Sequence, residues 1–261
     1  MKKKKTYAVI TGASSGIGKE FAFRMAAEGY NLVLVARRVN ILKDIKNKIK
    51  SIGIDIQIID ADLSNKNGCD KVIEKIHELP IHVFINNAGF GDCGYFLNQD
   101  INKEMAMIDV NIKSLHYLTK QILQIMEKGR KGYILNVASS AWLIPAGPYM
   151  ATYYATKAYV ASFTRAIAVE LKENNSEIYI GCLCPGPVDT EFNDVANVEF
   201  ALKGISASYC VQYAIKKMKK RQVVIVPTFR MKVALFAGRF IPQSLYIRMT
   251  AHQQKKKIML K

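Results

Sequence analysis

Tyr153 and Lys157 stand one helical turn apart at the end of the stretch GYILNVASSAWLIPAGPYMATYYATK, residues 132 to 157. That spacing puts both side chains on one helix face. An ammonium held beside a phenol favours the phenolate, so a tyrosine whose reference pKa is about 10 becomes a proton donor or acceptor nearer neutrality. The expectation is a phenol whose pKa Lys157 lowers. Ser139 and Ser140 close an apolar run just upstream. Far from them in sequence, Gly12, Gly16 and Gly18 punctuate GASSGIG with Ser14, Ser15 and Ile17 between them. If this turn joins a strand to a helix, backbone amides at the helix N-terminus can meet a pyrophosphate.

The elements that must position these residues can be read from the pattern of apolar positions. Tyr7 to Thr11 is a β-branched and aromatic run, and KEFAFRMAAEG after the glycine turn repeats apolar positions Phe21, Ala22, Met25 and Ala26 at helical spacing. Strands are expected over 31–36, 54–59, 81–85, 133–138, 178–183 and 222–226. Helices are expected over 41–52, 66–79, 102–128, 151–172 and 207–220. Strands alternating with helices of this length argue for an α/β fold, a parallel sheet covered on both faces. Such sheets bind ligands at the carboxyl ends of their strands. The stretch from 189 to 204 reads as mobile, and from Phe229 onward as a helix, a break at Pro242 and a second short helix. No internal repeat or low-complexity linker marks a second domain, so 1–261 is expected to be one domain, with 229–261 a basic and apolar extension.

At 261 residues, about half of them hydrophobic, the chain can bury one large core. Five cysteines with no framework spacing suit reduced thiols better than a disulfide scaffold. Cys182 and Cys184 should point the same way from a strand, as small residues at its end and not as metal ligands. The four histidines are scattered without ligand spacing, so no metal is expected. The net charge of +17 raises nucleic acid and anionic membranes as partners. Its clusters, Lys2 to Lys5, Lys216 to Arg221 and Lys255 to Lys257, accompany no nucleic-acid-binding module and read as solvated charge. The glycines after YAVI interrupt that run too soon for a secretory signal, and no run approaches the roughly 18 residues of a spanning helix. A soluble cytoplasmic protein is the expectation.

The order of motifs carries more than any one of them. TGASSGIG at 11 to 18, NNAG at 86 to 89, Asn111, Ser139 and Ser140, YYATK at 153 to 157 and PGPVDT at 185 to 190 follow one another at expected strand ends. In this the chain resembles the short-chain dehydrogenase/reductase family from about Thr6 to Val226, and within it NADP-preferring bacterial carbonyl, hydroxysteroid and 3-oxoacyl reductases. The resemblance implies a Rossmann-type, doubly wound parallel sheet of about seven strands with helices on both faces. It also implies hydride transfer between a nicotinamide and a carbonyl or alcohol. Tyr153 would then be the proton donor in reduction, Lys157 would lower its pKa and hold the nicotinamide ribose, and Asn111 would help hold a water in the proton relay. The serine that hydrogen-bonds the substrate oxygen is Ser139 counted from the strand and Ser140 counted back from the tyrosine. The rigidity of a strand end favours Ser139.

The same resemblance places the cofactor against Gly12, Ser14, Ser15, Gly16, Ile17 and Gly18. Asp62 and Leu63 would lie near the adenine, Asn87, Ala88 and Gly89 under its ribose, and Pro185, Gly186, Val188 and Thr190 around the nicotinamide. Family members that bind NAD carry an acidic residue after the second strand, whereas here Ala36 is followed by Arg37 and Arg38. Guanidinium forks suit a phosphate monoester, which implies NADP(H) with Arg37 the principal contact. Trp142, Leu143, Ile144, Pro145, Tyr149 and Met150, with Phe90, Cys93 and Tyr95, are placed either to line a cleft for an apolar carbonyl compound or simply to cover the loop. The expected activity is a carbonyl reductase, reversible toward a secondary alcohol, on a steroid or 3-oxoacyl compound; the other reading is a nucleotide-binding sensor or scaffold without turnover. Partners would be that small substrate and a second copy in a homodimer or homotetramer. The segment after Arg230 would close the cleft or a subunit interface, or else make weak peripheral contact with an anionic membrane.

Overall fold

A computed structural model describes residues 5–192, 196, 204–238 and 240–259. Its central feature is a seven-stranded sheet built from β1 (Tyr7–Thr11), β2 (Asn31–Ala36), β3 (Ile56–Asp60), β4 (Ile81–Asn86), β5 (Lys131–Val137), β6 (Glu177–Leu183) and β9 (Val224–Ile225), in the order β3-β2-β1-β4-β5-β6-β9. Every ladder is parallel. Because successive side chains leave a strand on opposite faces, the continuous apolar run of β1 feeds two cores: Ala8 and Ile10 enter one, Val9 the other. The first is covered by α1 (Gly16–Ala27), α2 (Val39–Ile49) and α7 (Ala207–Lys219), and the second by α3 (Lys66–Ile76), α5 (Leu115–Gly129) and α6 (Ala151–Glu173). The strand order reverses between β1 and β4, which opens a crevice at their carboxyl ends.

Several boundaries differ from the sequence expectation for identifiable reasons. α3 stops at Ile76, short of Leu79, since a residue before proline is driven toward extended backbone and Pro80 follows. The helix expected over 102–128 is α4 (Ile101–Ile108), a π-helical turn (Asp109–Ser114) and α5 in unbroken succession. Such wide turns often mark functional positions, and this one contains Asn111. A two-stranded parallel pair, β7 (Val188–Asp189) with β8 (Ile205–Ser206), was not expected. Beyond α8 (Phe229–Gly238), the last helix α9 (Gln243–Met259) is long, not short, having no Gly or Pro within it. The stretch read as mobile lies largely outside the described residues, at 193–195 and 197–203.

A buried polar chain locks the helices to the sheet behind the crevice. Asn86 Nδ2 donates to the Leu115 carbonyl at 3.1 Å and to Thr119 at 3.3 Å. Thr119 Oγ1 donates to Asn136 Oδ1 at 3.3 Å, and Asn136 Nδ2 to Thr164 Oγ1 at 2.9 Å. Each group is satisfied, so β4, β5, α5 and α6 gain a fixed register without an orphaned polar atom.

Candidate active site

The glycine turn is shaped by close backbone approach. Gly12 and Gly16 have φ of 63° and 49°, where a side chain is strained. A Cβ on Gly18 would stand 2.2 Å from the Gly12 carbonyl. Thr11 Oγ1 accepts from the backbone N–H groups of Asn87 and Ala88 at 2.9 and 3.0 Å, while Asn87 Nδ2 donates to the carbonyls of Thr11 and Gly12. These bonds hold the ends of β1 and β4 together beneath the crevice. Ser15 begins α1 without a side-chain cap, and the first turn carries no acidic residue, so the helix N-terminus suits an anion. Ser14 is buried, and Ile17 packs against the first core. Thr190 lies against Gly16, whose added Cβ would meet it at 3.0 Å, so PGPVDT closes over the glycine turn.

Arg37 and Arg38 differ in their surroundings, although both are exposed. Arg38 Nε donates to Ser14 Oγ at 3.2 Å, and its Nη1 pairs with Glu191 at 2.8 Å. Arg37 faces Asp62, whose carboxyl is held below the usual range chiefly by the Ser64 backbone N–H, with a smaller contribution from Arg37. Both arginines line an open hollow of about 410 Å³ with Val39, Asn40 and Ile41. Leu63 is buried in the second core behind Asp62. Glycines that leave no space for a Cβ and a helix N-terminus without acid together fit the pyrophosphate of a dinucleotide.

The four expected catalytic residues converge at the crevice. Lys157 is buried, and its Nζ donates to the Val137 carbonyl at 3.0 Å. Its ammonium lies 5.8 Å from the centre of the Tyr153 ring. Asn111 is also buried: its Oδ1 accepts from the Phe90 N–H at 3.1 Å, and its Nδ2 donates to the Phe90 carbonyl at 2.9 Å and to Thr156 Oγ1 at 3.1 Å. A Cβ on Gly89 would sit 2.8 Å from Asn111 Oδ1 and 3.3 Å from Lys157 Nζ. That glycine is what lets the amide and the ammonium share one space.

Of the two serines, Ser139 meets the tyrosine. Its hydroxyl is near enough to the phenol to draw the phenol's pKa down slightly, and it accepts from the Ala141 N–H at 3.2 Å. Ser140 instead donates its backbone N–H to Pro185. The electrostatics correct one expectation. The Tyr153 phenol is pushed up to about 12 by burial, against which the Ser139 hydroxyl acts weakly, and Lys157 does not lower it. Burial likewise brings Lys157 down to about 8. Burial sets the direction of both shifts, and the ammonium is directed to the Val137 carbonyl and not to the phenol oxygen.

Residues from distant elements form the wall over the phenol. Phe192 packs on Tyr153 with ring centres 5.6 Å apart, and Phe90, Cys93, Ala141 and Met150 join the same apolar cluster. Trp142, Leu143 and Ile144, read as cleft residues, pack against another buried cluster that includes Val160, Cys182 and Cys184, where Trp142 Nε1 donates to Cys184 Sγ at 3.1 Å. Tyr95 is exposed. The C-terminal helices reach the site from above. Met231 Cε would stand 2.6 Å from a Cβ on Gly186, and Gln254 donates to the Tyr154 hydroxyl at 2.6 Å. Buried Glu104 accepts from Thr152 at 2.6 Å in the first turn of α6, where a carboxylate favours the helix N-terminus. Thr11, Glu104, Thr156, Phe192 and Met231 were not singled out from the sequence because only chain crossings bring them here; Thr11, opening TGASSGIG, and Thr156, inside YYATK, had a nearby signal. Among the described residues no cluster could hold a metal ion.

A Rossmann-type crevice with a Ser-Tyr-Lys-Asn constellation at its strand ends defines a class of nicotinamide-dependent folds. The short chain dehydrogenase profile matches residues 6–199, and the chain belongs to that family. It is 35% identical over 201 residues to human 17-beta-hydroxysteroid dehydrogenase type 3, covering 76% of this chain and 64% of that protein. It is 34% identical over 188 residues to a very-long-chain 3-oxoacyl-CoA reductase of Vanderwaltozyma polyspora, covering 67% and 54%. The chain thus spans less than two thirds of the length of these relatives. A short-chain dehydrogenase from Sphingobium yanoikuyae, solved in complex with NADPH, superposes with a TM-score of 0.81 at 28% identity over 91% of this chain and 97% of that one. A Burkholderia phymatum short chain dehydrogenase/reductase in complex with NAD shares the fold at 23% identity and a TM-score of 0.81, over 90% and 93%.

Proposed function

We propose that this chain is an NADP(H)-dependent carbonyl reductase, reversible toward a secondary alcohol, acting on a hydrophobic ketone such as a steroid or 3-oxoacyl compound. The observation that carries the reading is the meeting of Ser139, Tyr153, Lys157 and Asn111 under an apolar wall at the strand ends. A phenol with its pKa near 12 keeps its proton at neutral pH and can give it to a developing alkoxide. Ser139 orients the substrate oxygen beside that phenol, Lys157 holds the cofactor ribose, and Asn111, fixed by Phe90 and Thr156, helps hold a water in the proton relay. A nicotinamide held there would supply the hydride for the carbonyl carbon. Arg37 selects the phosphorylated cofactor, since a guanidinium fork matches a phosphate monoester. The hydroxysteroid and 3-oxoacyl names of the relatives support a large apolar ketone as substrate, and the wall of Phe90, Met150 and Phe192 suits one.

Self-association is assigned to α5 and α6, on which Val169 leaves an exposed apolar side chain, and a membrane contact to the C-terminal segment. The decisive experiment follows NADPH consumption over a panel of steroidal and 3-oxoacyl ketones. Tyr153→Phe should lower kcat/KM by at least about 10²-fold, the usual scale for a positioned proton donor. Wild-type turnover in that variant would overturn the mechanism.

A further inference from the structure

The two last helices present an unusual surface. α8, FRMKVALFAG, is apolar nearly all round, a pattern suited to a helix covered on every side. Its inner side is covered: Met231 lies over Gly186, and Gly238 abuts the Tyr246 ring. Its outer side is not. Phe229, Phe236 and, just past the helix, Phe240 are 78%, 59% and 76% exposed, with exposed Val233 between them. Spacings of four, three and four residues put them along one stripe, and the Phe236 and Phe240 rings meet edge to face at 5.5 Å. On α9 the inner side holds buried Thr250 and Gln254, and the outer side exposes Leu245 and Met249 beside exposed Arg248 and Lys255. A patch of large apolar side chains on this scale marks an interaction surface.

Charge identifies what covers it. After Glu199 the sequence contains many Lys and Arg and no Asp or Glu at all. A protein partner of ordinary surface would ask for both signs, whereas a wholly cationic surround with aromatic side chains matches an anionic lipid surface. No helix among the described residues is long and apolar enough to cross a membrane, so the contact is a surface one. We infer that α8 and α9 dock this protein on anionic membranes, with Phe229, Phe236, Phe240, Leu245 and Met249 entering the headgroup boundary and Arg248 and Lys255 meeting lipid phosphate. The same two helices roof the site through Met231 and Gln254, so docking brings the crevice next to lipid-dissolved ketones. That last consequence rests on the reductase reading; the docking itself does not.

The test is co-sedimentation of the full chain with phosphatidylcholine vesicles containing phosphatidylglycerol, and with phosphatidylcholine alone as the neutral arm. No substrate is present, so the outcome is independent of turnover. Binding is expected to the anionic vesicles only and to weaken as salt rises, by screening. Arg248→Glu with Lys255→Glu should lower the partition coefficient at least about tenfold, given roughly 1 kcal/mol for each basic side chain near such a surface. Phe236→Ser with Phe240→Ser, both exposed and so tolerable to the fold, should reduce binding similarly at unchanged thermal stability. Equal binding to neutral vesicles, or no binding, overturns the proposal. So does a self-associated species, seen by sedimentation velocity without lipid, that the Phe236 and Phe240 substitutions dissociate, since the occupant is then a second copy.

Discussion

Lys157 Nζ donates a 3.0 Å hydrogen bond to the carbonyl of Val137, the last residue of β5. The lysine of the site therefore also ties α6 to the strand end that presents Ser139. Burial lowers its pKa from 10.5 to about 8. Between those values the unfolded chain holds a proton that the folded chain has released. The stability linked to this group is therefore present above the unfolded pKa and lost as pH falls through the folded one, on the order of 3 kcal/mol across the window. Urea unfolding should show Lys157→Met flattening the rise in stability between pH 8 and 10; equal slopes in the two proteins would contradict the burial.

Ser139 and Ser140 should separate cleanly in kinetics. Ser139→Ala removes the hydroxyl that meets the phenol and is expected to lower kcat/KM by about 10²-fold or more. Ser140→Ala leaves the backbone bond to Pro185 intact and should change kcat/KM little. Steady-state assays with NADPH and one accepted ketone decide between them.

Gly89→Ala probes the space shared by Asn111 and Lys157. The added methyl would stand 2.8 Å from Asn111 Oδ1, so one of the two polar groups must move. Displacements of about 1 Å at a reacting site cost on the order of 10²-fold in rate. The variant is expected to keep its circular dichroism spectrum while kcat falls. Gly129→Ala, with nothing within 4 Å of the new methyl, is the control that leaves both unchanged.

Arg37→Ala should raise KM for NADPH by about 10- to 100-fold, the equivalent of one or two charge-assisted hydrogen bonds, and leave KM for NADH nearly unmoved. Arg38→Ala should matter less, because its guanidinium already pairs with Glu191 and Ser14. Measuring both cofactors with both variants tests the assignment; an equal loss toward NADH and NADPH would remove it.

Much of the fold and part of the site were legible from residue order. Period-2 and helical patterns locate the strands and most helices, since burial on one face or two leaves a local trace. GASSGIG and NNAG could be placed at strand ends, and YYATK on the helix that follows, for the same reason. The π turn around Asn111 left no such trace, because a widened turn keeps the same apolar spacing on either side. The fate of Trp142 was hidden too: its partner Cys184 lies just past β6, far away in sequence, and either side of the loop could have received the indole.

By itself the sequence determined which residues are available and which share a face, because spacing along a strand or helix fixes direction. Tyr153 above Lys157 needed nothing more. Tertiary structure alone decided which serine touches the phenol, that Phe192 lies on its ring, and that Arg38 is held by Glu191 while Arg37 faces the open hollow. It also reversed the sign expected for the phenol. A neighbouring ammonium is a fact of sequence spacing, but the desolvation that raises Tyr153 and lowers Lys157 depends on every element packed around them.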